Sequence, residues 1–395
     1  MKFNKVAIFD LFGTLIHDKA NNYLKGFDWL KNEILIEDCT MDDVLKIAKQ
    51  FQLSYMKDRV ATHKEASHIK QLELLKTKIG FRSEKSIDEI EYGFFSVSRV
   101  TEPQEGVFEL LHWLKQQGFL LFVMSNTIYS AKTIRKHLET MKLSEYFEDI
   151  FTSGDAGYRK PGYKFFSHVS SKIKKIISVK RSDIIFIGNS LEKDMIGASK
   201  FGFTPIWIST DTSGFGEYIA DCIRADNLIK CKYYFKNNYI RIAKISRDYS
   251  VADGIGNRIV VYMQGCEKHC PNCHNEITWD VSGGRTYSVK EIITQVLSHM
   301  TKGAKNVTIS GGEPLDQKIP LLTLLDEFER AGIDVCLYTG NDFDDVSDEI
   351  KDKIHYLKTG SYVHELRTTE KGFYGSANQK FLEKGNDGVW IQKIL

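Results

Sequence analysis

The sequence has few prolines, no long apolar run and almost no net charge. Only 6 of its 395 residues are proline, and 54 Lys and Arg balance 52 Asp and Glu. The longest uninterrupted apolar run, from Phe119 to Met124, is far shorter than the roughly 20 residues that cross a bilayer. Since there is also no marked basic excess, we expect neither a membrane nor a nucleic acid as the main partner.

The composition is that of a folded protein with more than one domain. Apolar residues make up 42% and charged residues 27% of the chain. A single domain usually has about 100–200 residues, so this length predicts two domains. Near the N-terminus, Asp10 follows only four apolar residues, too few for the core of a signal peptide. We therefore expect a cytoplasmic protein.

The first part of the chain has the pattern of an α/β domain. Apolar runs predict buried strands at Val6–Phe9, Phe119–Met124 and Ile184–Ile187. Helical periodicity lies between them, and strands that alternate with helices predict a parallel sheet. Residues 16–100 have a polar, helical pattern without a strong strand, so we expect a helical cap inserted after the first strand. We place the domain boundary after residue 235, which gives domains 1–235 and 236–395.

The alternation of strands and helices restarts in the second domain. Apolar runs predict strands at Ile259–Met263, Val307–Ser310 and Val335–Tyr338. Ser288 and Glu291 form a capping-box motif, which predicts the start of a helix. The domain is too short for a complete (β/α) barrel, which takes about 250 residues. We therefore expect a partial, laterally open (β/α) barrel.

Three of the seven cysteines, Cys266, Cys270 and Cys273, lie within eight residues on the loop after a predicted strand. In a cytosolic protein such a cluster indicates a metal site rather than a disulfide. A structural zinc site would need a fourth ligand, which His269 or His274 could supply. The other interpretation, which the spacing favours, is a [4Fe–4S] cluster with three cysteine ligands and one open iron.

A second motif follows the next predicted strand of this domain. It consists of Gly311, Gly312, Glu313 and Pro314. Two glycines let a polar ligand approach the backbone closely, and the carboxylate of Glu313 is an acceptor for an amine. This motif and the cysteine loop each follow a strand, and parallel α/β folds place their chemistry at that edge.

The cysteine triplet followed by G-G-E-P resembles the radical S-adenosylmethionine (SAM) enzymes. The resemblance implies that Cys266, Cys270 and Cys273 hold a [4Fe–4S] cluster whose open iron chelates SAM. It also implies that the segment Gly311–Pro314 binds the amino group of SAM, and that reduction of the cluster cleaves SAM to a 5′-deoxyadenosyl radical. One position departs from the broad superfamily, because Asn272 stands where an aromatic residue is often found.

Four further segments extend the resemblance over about residues 238–383: Asp253–Arg258, Gln264–Gly265, His274–Trp279 and Gly375–Gln379. They resemble the activating enzymes of anaerobic (class III) ribonucleotide reductase. The resemblance implies a glycyl-radical enzyme as partner and a flavodoxin or ferredoxin as electron donor. The last segment is also compatible with an ordinary surface turn. The alternative function is radical chemistry on a small molecule, such as a nucleotide or a phosphorylated metabolite.

Four polar motifs follow the predicted strands of the first domain: Asp10–Leu15, Ser125-Asn126, Arg159–Pro161 and Gly188–Ala198. In this order they resemble the haloacid dehalogenase (HAD) superfamily over about residues 3–232. The resemblance implies a Rossmann-like core with a helical cap. It also implies hydrolysis through a carboxylate nucleophile, with a cation that neutralises the developing charge.

Mapped onto this sequence, the HAD resemblance assigns a role to five residues. It implies that Asp10 is the nucleophile, that Ser125 contacts the oxyanion and that Lys160 holds the charge of the substrate. It further implies that Asp10, Asn189 and Asp194 bind Mg²⁺. All five residues suit charge stabilisation in a group-transfer site.

Two departures from the HAD pattern leave the activity of this domain open. Phe12 stands where phosphatases of the superfamily usually carry an acid, and losing positioned acid–base help costs ~10²–10⁴-fold. Asn189 stands where an aspartate is common, and a neutral amide binds Mg²⁺ more weakly. The domain is therefore a weak or specialised phosphatase, a dehalogenase-like hydrolase, or a degenerate fold kept as a binding or docking module.

Overall fold

The computed structural model describes residues 5–34, 40–210, 222–300, 304–368 and 372–394. The chain divides into two compact units, Lys5–Lys232 and a second that begins at Tyr233. Within the described ranges, no helix combines the length and apolar character needed to cross a membrane.

The first unit combines a parallel sheet with nine helices in its described ranges. Its strands are β1 (Lys5–Phe9), β2 (Ile16–Asn21), β3 (Arg99–Pro103), β4 (Phe119–Ser125), β5 (Asp149–Thr152), β6 (Ile184–Gly188), β7 (Thr204–Ile208) and β8 (Ile223–Ala225). Its helices are α1 (Tyr23–Glu33), α2 (Met41–Thr62), α3 (His68–Ile79), α4 (Ile87–Ser98), α5 (Val107–Gln116), α6 (Ala131–Thr140), α7 (Ser153–Ala156), α8 (Tyr163–Ile176) and α9 (Gly197–Phe201). The next helix, α10 (Leu228–Asn238), contains the division between the units.

The central sheet has the strand order β5-β4-β1-β6-β7-β8, and all neighbouring strands run parallel. Every residue of β1, β4 and β6 is buried. A parallel sheet covered on both faces requires such continuous apolar runs. The prediction of a Rossmann-like parallel core is confirmed. Because β1 lies between β4 and β6, the loops that follow these three strands meet at one edge.

The cap contains a feature that the sequence pattern did not predict. Helices α1 to α4 lie between β2 and β3, which pair with each other as an antiparallel ribbon. The expectation of a cap without strands is therefore wrong at both of its ends. These strands are polar, and side-chain contacts link them: Arg99 forms an ion pair with Asp18 at 2.7 Å, and His17 forms a hydrogen bond with Glu102 at 2.7 Å. Because polar side chains hold β2 and β3 together, neither strand has the alternation of apolar and polar residues that predicts a strand from sequence.

The second unit is an eight-stranded mixed sheet. Its strands are β9 (Tyr239–Ile245), β10 (Ile259–Met263), β11 (Arg285–Ser288), β12 (Asn306–Gly311), β13 (Asp334–Tyr338), β14 (Tyr356–Thr359), β15 (Lys380–Lys384) and β16 (Trp390–Gln392). Its helices are α11 (Val289–His299), α12 (Lys318–Arg330) and α13 (Asp348–Asp352). The strand order is β11-β9-β10-β12-β13-β14-β15-β16.

Only the middle of this sheet has the parallel βα arrangement. Strands β10, β12, β13 and β14 are parallel, whereas the flanking strands on both sides are antiparallel. Helices α11 and α12 pack on the buried aliphatic core of the sheet. The predicted capping box is present: the Glu291 N–H donates to Ser288 Oγ at 3.2 Å, and the Ser288 N–H donates to the Glu291 carboxylate.

Candidate functional site

The polar edge of the first unit is assembled by the three central strands. Asp10 directly follows β1, Ser125 is the last residue of β4, and Asn189 directly follows β6. The Asp10 N–H donates to the carbonyl of Ile187 at 2.8 Å, which fixes the end of β1 against β6. Residues far apart in sequence therefore share one site because their strands are neighbours.

Lys160 connects the two carboxylates at this edge. Its Nζ lies 2.6 Å from Asp10 Oδ1 and 2.6 Å from Asp194 Oδ1, and it also donates to the carbonyl of Met124 at 2.9 Å. Asn126 holds the backbone of Lys160 in place, because its side chain accepts from the Lys160 N–H and donates to the Lys160 carbonyl. The structure thus brings Asp10, Lys160 and Asp194 together as a buried triad.

The triad carries two negative charges and one positive charge away from water. Burial raises the pKa of Asp10 to about 6, the Lys160 ammonium acts in the opposite direction, and Asp194 raises the pKa further. Burial alone would lower the pKa of Lys160, but the two carboxylates outweigh it and the net shift is upward. The site therefore keeps its lysine charged and has an excess of negative charge that an additional cation would offset.

The residues present suit Mg²⁺ only in part. Asp10 and Asp194 supply carboxylate oxygens and Asn189 an amide, which are donors of the kind that Mg²⁺ takes. Thr14 donates to Asp10 Oδ2 and Asn189 Oδ1 at 3.4 Å each, so these oxygens lie near one another. In the described ranges, however, no three His, Cys, Asp or Glu side chains are grouped closely enough to hold one ion.

Ser125 and Phe12 lie at the same edge as the triad. The Ser125 hydroxyl is buried and has no hydrogen-bond partner within the described ranges. The side chain of Phe12 lies under the guanidinium of Arg99, whose central carbon is 3.4 Å from the ring centroid. Sequence reasoning missed Arg99, because it comes from β3 at the far end of the cap. A cation thus covers the position where related phosphatases carry an acid.

The cap also holds the loop that follows Ser125. The buried carboxylate of Glu91 in α4 accepts from the Ser130 N–H at 3.1 Å and from Thr133 Oγ1 at 2.7 Å. The His68 N–H donates to the carbonyl of Ile128 at 2.9 Å. Cap residues therefore fix the segment that positions Asn126, and through it Lys160.

In the second unit, two loops are joined at the carboxyl edge of the sheet. Met263 and Gly311 are paired at the ends of β10 and β12. The Gly312 N–H donates to the Met263 carbonyl at 2.8 Å, and the Glu313 N–H donates to the Gly265 carbonyl at 2.8 Å. A Cβ on Gly312 would lie 2.1 Å from the Gly265 carbonyl oxygen, so only glycine fits there.

Glu313 is held rigidly at this edge. It is 2% exposed, and its carboxylate accepts from Thr339 Oγ1 at 2.7 Å, from the Leu315 N–H at 3.0 Å and from the Gly340 N–H at 2.9 Å. Burial raises the pKa of Glu313 despite these donors. Its carboxylate therefore has a fixed orientation in the wall of the cavity described next.

Cys266, Cys270 and Cys273 line one cavity together with Glu313, and none of the three forms a disulfide. Burial raises the pKa of the Cys266 thiol. The loop between the cysteines includes Asn272 at φ 56°, a left-handed conformation that asparagine tolerates better than an aromatic residue does. Three free thiols on one wall fit a cluster that binds each cysteine through a separate iron.

The cavity also contains residues that the sequence did not single out. These are Tyr338, Lys358 and Tyr362. They line the cavity together with Gly375 and Gln379, which belong to the last of the four segments that extend the resemblance. Burial lowers the pKa of Lys358 to about 8, although nearby Cys336, Asp253 and Cys273 act in the opposite direction. These residues lie on or after β13 and β14, and no local motif marked them.

Two family models match the chain. Residues 252–382 match the 4Fe-4S single cluster domain, and residues 7–208, just over half of the chain, match the haloacid dehalogenase-like hydrolases. The anaerobic ribonucleoside-triphosphate reductase-activating protein of Escherichia coli (strain K12) is 30% identical over 138 residues, which cover 33% of this chain and 90% of that protein. The chain belongs to the haloacid dehalogenase-like hydrolases through its first unit and to the anaerobic ribonucleoside-triphosphate reductase-activating proteins through its second. Both resemblances seen in the sequence are thereby confirmed.

Other relatives are similar to one unit or the other. The anaerobic ribonucleoside-triphosphate reductase-activating protein of Enterobacteria phage T4 is similar to the activase-like second unit. It is 31% identical over 144 residues, and the alignment covers 90% of that protein. Pyruvate formate-lyase 1-activating enzyme from E. coli (strain K12) is 30% identical over 163 residues, which cover 36% of this chain and 63% of that enzyme. For the HAD-like first unit, a HAD phosphatase structure from Thermococcus onnurineus aligns at 20% identity with a TM-score of 0.39, covering 58% of this chain and 97% of that one.

Proposed function

We propose that the activase-like unit uses a [4Fe–4S] cluster and SAM to place a glycyl radical on a partner protein. The observation that carries this proposal is the single cavity lined by the three cysteines, by Gly311 to Glu313, and by Gly375 and Gln379. The relatives that share this unit are named as reductase-activating proteins, which supports a glycyl-radical enzyme as the partner.

In this proposal, Cys266, Cys270 and Cys273 each ligate one iron and leave the fourth open. When bound and reduced, the cluster supplies the electron that cleaves SAM to methionine and a 5′-deoxyadenosyl radical. The segment from Gly311 to Pro314 would bind the amino group of SAM, with the rigidly held carboxylate of Glu313 as a hydrogen-bond acceptor for its N–H. A flavodoxin or ferredoxin is the proposed electron donor.

The segment Gly375–Gln379 forms the part of the cavity wall that the proposal assigns to the partner's glycine loop. Gln379 Oε1 accepts from the Gly375 N–H at 2.8 Å, and its Nε2 donates to the Gly360 carbonyl at 2.9 Å. These bonds fix the turn against the loop after β14. A rigid turn at the mouth of the cavity favours docking of a flexible peptide, because only the peptide loses conformational freedom.

The first prediction concerns the target of the radical. Reduced protein and SAM, mixed anaerobically with a class III ribonucleotide reductase, should produce a doublet radical signal on the reductase in electron paramagnetic resonance (EPR). SAM cleavage should be slow without the reductase, because an unprotected radical in a wet cavity is quenched. A reaction without SAM serves as the control. Cleavage stimulated only by a small molecule, with no radical on the protein partner, would favour the small-molecule alternative instead.

For the HAD-like unit we propose a binding site for a phosphate-like anion with little hydrolytic turnover. Phe12 cannot transfer a proton, and the Arg99 guanidinium lies over its ring. The Nζ of Lys160 is already bound to Asp10, Asp194 and the Met124 carbonyl. An anion would therefore bind at the Ser125 hydroxyl, which has no partner among the described residues, once Mg²⁺ at Asp10 and Asp194 offsets the excess negative charge.

The second prediction follows from this arrangement. Hydrolysis of an aryl phosphate in the presence of Mg²⁺ should be close to the uncatalysed rate, and Asp10→Asn should change it little. The measurement is release of the phenolate, with an active HAD phosphatase as the positive control. Rapid wild-type turnover that Asp10→Asn abolishes would contradict the degenerate-site proposal and favour a true hydrolase.

A further inference from the structure

Trp279 places an unused hydrogen-bond donor in the wall of the cysteine cavity. Its side chain lines the cavity, yet its indole Nε1 is buried and has no hydrogen-bond partner within the described ranges. An indole N–H can only donate, and a buried donor without an acceptor destabilises the folded protein. Trp279 therefore offers, beside a ligand cavity, a donor that no described residue uses, which points to an acceptor that belongs to the bound state.

Backbone contacts place Trp279 at the cysteine end of the cavity. The Cys266 N–H donates to the Trp279 carbonyl at 3.2 Å, and the Gly265 N–H donates to the Thr278 carbonyl at 2.7 Å. The ring of His269, next to Cys270, lies edge-on to the indole with centroids 4.9 Å apart. Trp279 is therefore fixed to the loop that carries the thiols, whereas Tyr338 lines the cavity from β13 and Lys358 lines it from β14.

We propose that Trp279 donates a hydrogen bond from Nε1 to a sulfur of the [4Fe–4S] cluster or of one of its cysteine ligands, and so raises the reduction potential of the cluster. The inference rests on the proposed function, since it needs the cluster. Hydrogen bonds to the sulfurs are one of the factors that set the potential of an iron–sulfur centre. The bond is stronger in the reduced state, whose sulfurs carry more negative charge, so it favours uptake of the electron.

The test is a redox titration of Trp279→Phe, monitored by EPR of the reduced cluster without SAM. Phenylalanine keeps most of the ring volume and removes the donor. The midpoint potential of the cluster should become more negative. At the wild-type midpoint potential, the ratio of oxidised to reduced cluster should rise about tenfold in the variant, which corresponds to a shift of ~59 mV for a one-electron couple. Trp390→Phe, a tryptophan that packs on Phe343 outside the cavity, should leave the midpoint unchanged.

An unchanged midpoint in Trp279→Phe with a full cluster would overturn the inference while leaving the proposed function intact. A shift that occurs only when SAM is present would overturn it too, because the acceptor would then be SAM. If the variant fails to assemble a cluster, wild-type protein labelled with indole-¹⁵N tryptophan replaces it: pulsed electron–nuclear double resonance should detect one coupled ¹⁵N nucleus, and its absence would overturn the inference. Wild-type protein that binds no iron would overturn the proposed function and this inference with it.

Discussion

Anaerobically reconstituted protein is expected to bind about four irons per chain, and the combined replacement Cys266→Ala, Cys270→Ala and Cys273→Ala is expected to remove them all. The three thiols line one cavity and none is used in a disulfide, so no other ligand set in that cavity is expected to replace them. Iron and acid-labile sulfide assays, together with the visible absorption of the cluster, measure the loss. SAM cleavage should disappear with the iron.

Cys336→Ala is the matched control for the triple variant. Cys336 is a buried thiol on β13 of the same unit but is not part of the cysteine loop. Its replacement should leave the iron content at the wild-type level. Stoichiometric zinc without iron in the wild-type protein would instead support the zinc interpretation with a histidine as fourth ligand.

Lys160→Met is expected to destabilise the HAD-like unit by about 3–5 kcal/mol at pH 8, because it leaves Asp10 and Asp194 buried without their shared cation. Hydrogen exchange of the amides in β1, β4 and β6 measures the free energy of opening of this unit alone. Lys132→Met is the control, since Lys132 forms a surface ion pair with Asp88 and exposed pairs contribute little to stability. If Lys160→Met lowers the free energy of opening no more than the control does, the description of a buried triad would be contradicted.

Asp10→Asn should act in the opposite direction, because it leaves one lysine facing one carboxylate. The pKa of Asp10 is about 6 in the folded protein against 3.8 as the reference value. Between these pH values the folded state keeps a proton that the unfolded state has released, so wild-type stability falls as the pH rises through this window. Without divalent cations, Asp10→Asn should therefore be more stable than wild type at pH 8, and the difference should shrink towards pH 4.

Much of the site could be predicted because its residues follow strands. The apolar runs before Asp10, Ser125 and Gly311 mark strand ends, and parallel strands bring such ends to one edge. Lys160 lies between α7 and α8 rather than at a strand end, so only the HAD resemblance assigned it to the site of Asp10, 150 residues away. The sequence predicts that Gly311 and Gly312 let a polar ligand approach the backbone, and the close approach that the structure shows at Gly312 is to the Gly265 carbonyl.

The rest of the fold and of the site depends on contacts between residues far apart in the sequence, which no local sequence pattern indicates. Strands β2 and β3 are polar and pair through charges, so their pattern resembles that of exposed helix or loop. Arg99 reaches Phe12 only because the cap returns to the core after four helices. Lys358 lies in the short strand β14 without a motif around it, and its place in the cavity follows from the order of β13 and β14 in the sheet.

The paired backbone bonds from Gly312 to Met263 and from Glu313 to Gly265 make the cysteine loop and the glycine turn one mechanical unit. Any displacement of one loop strains the other, since Gly312 and Gly265 are already in contact. Binding of iron to the thiols and binding of a ligand to the glycine turn should therefore be thermodynamically linked, and such linkage is reciprocal. A ligand that tightens the turn should raise the affinity of the cysteine loop for iron, measured by equilibrium competition with a chelator, by the same factor by which the metal strengthens binding of that ligand.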